Sequence, residues 1–208
     1  MIRSFHLWSS TSGLARPLWR DDHAAQLVEF AVALPLLVLF VVGIFDFSYA
    51  FTIKQKLTNA ARDGARVAAA DPASDLQSPA TTPASVLDAF QDIDNYLVAN
   101  KLNDCGISSS APTSAGPLTW KYTATTGCPP GGLVIIINRG YYFPSTGATL
   151  PSVNCTPQNP GSGTAVISTC VTIEYGYAWR FGRAASLLGA RSTLPNAITV
   201  TAVAMNEN

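Results

Sequence analysis

The stretch Phe30 to Ile53 reads FAVALPLLVLFVVGIFDFSYAFTI and contains one charged residue, Asp46. It is about 24 residues long, or roughly 36 Å as a helix, which is enough to cross a bilayer core of about 30 Å. Pro35 falls early in the run, where a kink is tolerable because neighbouring helices can satisfy the freed carbonyls. Ser48-Tyr49-Ala50 has the small-x-small form of a secretory cleavage site. The run before it is too long for a signal sequence, however, and carries an acid. The sequence therefore predicts a transmembrane segment at about residues 30–53.

Flanking charges do not orient this segment. Arg3, Arg16 and Arg20 precede it; Lys54, Lys56, Arg62 and Arg66 follow it. Excess positive charge marks the cytoplasmic side, and neither flank has that excess. The cysteines are more informative. All four (Cys105, Cys128, Cys155 and Cys170) follow the apolar run. An even set in a loop-rich region predicts two disulfides, which persist in an oxidising compartment. The C-terminal part is therefore expected outside the cytoplasm. Four cysteines allow three pairings. Cys105–Cys128 and Cys155–Cys170 are favoured because each closes a local Gly/Pro/Ser/Thr-rich loop that abuts an expected strand or helix end. Asn154-Cys155-Thr156 also matches a glycosylation sequon.

Outward from the apolar run, residues 1–24 form a polar leader, and one long helix is expected over residues 25–70. Past the membrane, Ala60, Gly64 and Ala68 form one small-residue stripe, with Ala61, Ala65 and Ala69 as another. Such stripes let helices approach closely, either within this chain's own domain or between subunits. Asp71-Pro72 ends the helix, and residues 71–83 (DPASDLQSPATTP) read as a linker. A second, amphipathic helix is expected from Ser85 to about Leu102, with a weak Ser85/Asp88 capping pattern. Strands follow at 118–122, 133–138, 165–177 and 197–205, and a short helix at 183–188. The fold class is α+β: a long transmembrane helix continuing into an extracytoplasmic domain, residues 84–208, with a second helix and a mostly antiparallel sheet.

Composition excludes several function classes. The chain has 208 residues, no net charge and only 12% charged residues, whereas nucleic-acid binders carry clustered Lys and Arg. The only histidines, His6 and His23, lie in the leader. No CxxC, HExxH, GxSxG or phosphate loop is present. No catalytic residue, metal site, cofactor or small-molecule substrate is expected, and the chain does not read as an enzyme. Asp46 and Glu29 stand out, because an acid in a membrane costs roughly 2.5–3.5 kcal/mol and usually has a partner. Asp46 can instead lie solvated at the outer interface. Glu29 can simply be a helix N-terminal acid stabilised by the dipole.

Ala24-Ala25-Gln26-Leu27-Val28-Glu29-Phe30-Ala31, Leu34-Pro35-Leu36-Leu37, Gly43-Ile44-Phe45-Asp46-Phe47 and Leu57-Thr58-Asn59-Ala60-Ala61-Arg62-Asp63-Gly64-Ala65-Arg66 follow one another in order. Together they closely resemble the TadE-like pseudopilins of the tight-adherence (Tad) pilus system. The resemblance covers about residues 24–70. Tyr175-x-Tyr177-x-Trp179-x-Phe181 and Met205-Asn206-Glu207 resemble that family more weakly. The resemblance implies cleavage by a cytoplasmic-side prepilin peptidase between Ala24 and Ala25, with Glu29 and Phe30 completing the processing motif. The family usually has Gly where this chain has Ala24. It further implies an inner-membrane, single-pass minor pseudopilin or assembly factor, in the membrane or incorporated in a pilus, with other pseudopilins or assembly proteins as partners. A membrane-anchored binding module or adhesin is the rival reading, using Trp120, Tyr122, Tyr141, Tyr142 and Phe143 as exposed aromatics, although such residues are more often packed in the core or in turns.

Overall fold

The computed structural model describes residues 22–77, 81–144, 155, 165–187 and 194–207. Residues 1–21 of the leader, part of the linker, and Asn154 and Thr156 of the sequon lie outside the described residues. By internal contacts the chain divides into two units, Met1–Val41 and Val42–Asn208. The elements are α1 (Asp22–Ala70), α2 (Ala84–Ala99), β1 (Thr113–Gly116), β2 (Thr119–Ala124), β3 (Leu133–Pro144), β4 (Ala165–Gly176), α3 (Arg180–Leu187) and β5 (Ala197–Met205). Short 3₁₀ turns occupy Ala73–Gln77 and Ile107–Ser109. The α+β reading is thus realised: a long apolar helix, a second helix and an antiparallel sheet.

The five strands pair in sequence order, β1-β2-β3-β4-β5, with every neighbouring pair antiparallel. The core includes Ile53, Leu57 and Ala61 of α1, Val86, Ile93 and Leu97 of α2, and Tyr122, Ile135, Ile137, Val171, Ile173 and Val200 of the sheet. β5 alternates as the sequence leads one to expect, with Ile198, Val200 and Ala202 buried. The inner strand β4, between β3 and β5, is buried through both its faces from Ser168 to Ile173. Tyr141, Cys155 and Cys170 form a second, smaller cluster, with Ile136 and Val203 packed against it. Cys155 is bridged to Cys170 and Cys105 to Cys128, with Cα–Cα distances of 5.6 and 5.4 Å.

The small-residue stripe of α1 is consumed inside this domain. Ala60, Ala61, Ala65 and Ala68 are buried. A Cβ added at Gly64 would lie 2.6 Å from the Ile93 side chain, so the helices are as close here as a glycine permits.

The short helix expected at 183–188 begins at Arg180, and three other departures from the sequence reading have a local reason. First, α2 stops at Ala99 rather than near Leu102. Lys101 takes a left-handed φ of 57°. Its N–H donates to Val98 O at 3.0 Å, and that of Leu102 donates to Leu97 O at 2.9 Å. This is a Schellman stop built without glycine, closed by two buried leucines at Leu97 and Leu102. Second, the Ser85/Asp88 capping pattern does not form. Asp75, from the 3₁₀ turn, accepts the Ser85 N–H at 2.9 Å instead. Third, β3 runs to Pro144, because a bulge between Asn138 and Tyr141 lets pairing with β4 resume beyond it. At the bulge, the guanidinium of Arg139 is buried and donates to Ala68 O, to Asp71 O at 3.0 Å and to Thr169 Oγ1 at 3.0 Å. It thereby caps the C-terminus of α1, where carbonyls lack helical donors. Burial pushes the guanidinium pKa down, and nearby Asp75 and Asp71 oppose the shift.

Candidate functional site

Two features carry the functional argument: the exposed apolar part of α1, and the cluster built around Asp46.

Within Met1–Val41, the described side chains of α1 from Gln26 onward are almost all exposed. They include Leu27, Phe30, Val32, Leu36, Leu37 and Phe40. Gln26–Ala70 is the one helix among the described residues that is long and apolar enough to cross a membrane, by length and composition. Soluble domains rarely show a contiguous apolar surface of this extent, and such a surface marks an interaction with lipid or protein. Glu29 lies within it and is exposed. Ala24 and Ala25 fall in the first turn of α1, where backbone N–H groups have no intrahelical acceptor.

Within Val42–Asn208, α1 begins to lose exposure at Gly43. Asp46, Ala50 and Ile53 are buried, and a Cβ on Gly43 would meet the Phe181 ring at 3.1 Å. The spacing from Gly43 through Asp46 and Ala50 to Ile53 is helical, so one face of α1 turns toward the folded domain. Asp46 is therefore not solvated. The Tyr177 hydroxyl donates to its Oδ1 at 2.8 Å, and the Phe181 N–H donates to its Oδ2 at 2.9 Å. The second bond places a carboxylate at the N-terminus of α3, where unpaired N–H groups and the helix dipole favour an anion. Burial first, and then the Asp46 carboxylate, raise the Tyr177 pKa.

Aromatic rings surround this carboxylate. Phe47 lies 5.1 Å from Trp179 and 6.1 Å from Phe181, Tyr49 lies 6.2 Å from Tyr177, and Tyr177 meets Trp179 edge-on at 4.8 Å. The Trp179 indole N–H donates to Pro195 O. The alternating Tyr175-x-Tyr177-x-Trp179-x-Phe181 segment is thus the counterpart of Gly43-Ile44-Phe45-Asp46-Phe47: the two stretches are joined by hydrogen bonds and ring contacts. Sequence reading singled out both stretches without connecting them. The one available signal was a lone acid in an apolar run, which needs a donor from somewhere else in the chain.

The aromatics of the binding-module reading are used differently. Tyr122 and Tyr141 are buried, Tyr122 stacking on Phe90 at 4.0 Å, and Trp120 packs against the core. Tyr142 is partly buried, and the Phe143 side chain lies outside the described set. No group of three His, Cys, Asp or Glu among the described residues is arranged to hold a metal ion.

Residues 24–66 match the family model described as TadE-like protein, the same stretch on which the sequence resemblance rests. No curated protein and no solved structure matches the chain.

Proposed function

We propose, taking the TadE-like match over residues 24–66 as premise, that this chain is a Tad pilus-associated membrane protein acting as a minor pseudopilin or assembly factor. The observation that carries this reading is the contrast along α1. The helix is apolar and exposed up to Val41, then amphipathic and packed into a disulfide-bonded α+β domain from Gly43 onward. Because Asp46 is engaged by the domain, the membrane segment fits best at about residues 25–45, roughly 31 Å of helix. Glu29 then lies inside the apolar segment near its start. A prepilin peptidase cutting between Ala24 and Ala25 would leave a charged α-amino group one helical turn from the Glu29 carboxylate. Pairing of the two, within one chain or between neighbouring subunits, lowers the cost of each charge in a low-dielectric bundle. The role is mechanical: anchoring and lateral packing through α1, and contacts with other pseudopilins or assembly proteins through the domain.

Processing is the direct test. Mass spectrometry of the chain from membranes containing the peptidase is expected to give a mature N-terminus at Ala25. Glu29→Gln is expected to impair assembly with other subunits more than membrane retention. An intact Met1 terminus in peptidase-containing membranes would refute the processing step.

A further inference from the structure

The segment that grips Asp46 also presents an outer surface that the domain does not use. Ala178, Arg180 and Arg183 are exposed, and Trp179 and Phe181 are only partly buried. Arg180 and Arg183 are three residues apart on α3 and so share a face. Lys54 adds a third cation, on the rim of an apolar groove of about 280 Å³ lined in part by Phe47, Phe51 and Trp179. Ile44, Phe45, Tyr49 and Phe51 of α1 are exposed, and the Tyr49 ring lies 6.2 Å from Tyr177. Partly exposed tryptophan and phenylalanine, flanking cations and a continuous apolar helix face occur together where protein meets the headgroup layer.

We propose that α3 and the Trp179–Phe181 turn form a membrane-interfacial seat. Arg180 and Arg183 engage lipid phosphates, the Trp179 and Phe181 rings lie at the headgroup boundary, and Asp46 ties this seat to α1. A lipid surface is the favoured partner, because Ile44, Phe45 and Phe47 continue the same apolar run that enters the bilayer and α3 carries cations without acids. The seat would fix how far α1 can slide or tilt, and hence which residues lie at each membrane face. This inference rests on the membrane reading above.

The test uses the full chain reconstituted in vesicles of equal parts phosphatidylcholine and phosphatidylglycerol. Bromine is carried near the headgroup end of the phosphatidylcholine acyl chains. The Trp179 signal is taken as the difference between the parent chain and Trp179→Phe, so the other tryptophans stay native. Bromine is expected to quench Trp179 emission. Arg180→Glu with Arg183→Glu should shift the docking equilibrium by at least about 25-fold, the two lost cations each being worth about fivefold near an anionic surface, and most of the quenching should disappear. Both arginines are exposed, so the variant is expected to fold; retained disulfides and an unchanged circular dichroism spectrum check this. Vesicle flotation after an alkaline wash separates the two readings. A chain that fails to float overturns the membrane anchor and the seat together. A chain that floats without Trp179 quenching, or whose quenching ignores the charge reversal, overturns the seat alone. Cross-links between α3 of two copies in place of quenching would assign the surface to a second copy, also overturning it.

Discussion

Asp46 joins two stretches of chain more than a hundred residues apart through the Tyr177 hydroxyl and the Phe181 N–H. A buried carboxylate stripped of its donors keeps its full desolvation cost, so the effects of removing either partner should not add. Asp46→Asn is expected to lower stability by about 2 kcal/mol, and Tyr177→Phe by about 1 to 2 kcal/mol. The double variant should lose less than the sum. Thermal unfolding of the detergent-solubilised chain and its three variants measures the coupling; strict additivity would show that the hydrogen bond contributes nothing. Tyr122 is the opposite case. Its hydroxyl is buried and no described residue bonds it, and burial pushes its pKa up to about 12. A phenol whose pKa rises on folding contributes stability that is present below its unfolded pKa of about 10 and lost as pH climbs through the folded value. Tyr122→Phe is therefore expected to leave neutral-pH stability equal or raise it by about 1 kcal/mol. It should also remove part of the loss between about pH 10 and 12. A marked destabilisation at neutral pH would mean the hydroxyl has a partner.

At the scale of elements, the helices are bounded by residues that lie outside them. Asp75 caps α2, Asp46 caps α3, and Arg139 closes the end of α1. Each relieves a helix terminus whose backbone groups would otherwise be unpaired. The disulfides act at this scale too. Cys105–Cys128 ties the segment after α2 to the loop between β2 and β3, and Cys155–Cys170 pins Cys155 onto β4. The loops they close span 23 and 15 residues, and on the chain-entropy estimate each bridge is worth about 3 kcal/mol. Non-reducing peptide mapping should recover these two linked pairs. Replacing both Cys155 and Cys170 by Ser should lower the unfolding midpoint in the absence of reductant. A Cys105–Cys155 or Cys105–Cys170 peptide would contradict the pairing.

For the whole molecule, an apolar helix followed by a disulfide-bonded domain predicts a topology. Disulfides need an oxidising compartment, so the domain is expected outside the cytoplasm and the leader within it. A phosphatase fused after Asn208 should be active, whereas one fused at Trp19 should not. The reverse pattern would invert the molecule and remove the leader from the reach of a cytoplasmic-side peptidase.

The long helix, the α+β class, four of the five strands and the likeness of residues 24–66 to TadE-like proteins were all legible in the sequence. The sequence could show them because apolar length, period-two alternation and motif order are local properties of the chain. The 3₁₀ turn at Ala73–Gln77, strand β1 and the long β3 escaped it. Thr113–Gly116 has little apolar patterning and becomes a strand only by pairing with β2, while β3 continues past Asn138 only because β4 supplies partners beyond the bulge. The end of α2 was hidden because Lys101 occupies a left-handed position where glycine is the usual signal. The candidate site was legible in halves. The processing roles of Glu29, Ala24 and Ala25 come only through the resemblance and are a proposal; Asp46 was conspicuous as an acid in an apolar run. Its partners were decided only by the tertiary structure, which brings β4's downstream segment against Gly43–Ala50. Hydrogen bonds and ring contacts between distant segments depend on chain path, and sequence periodicity carries no information about that path.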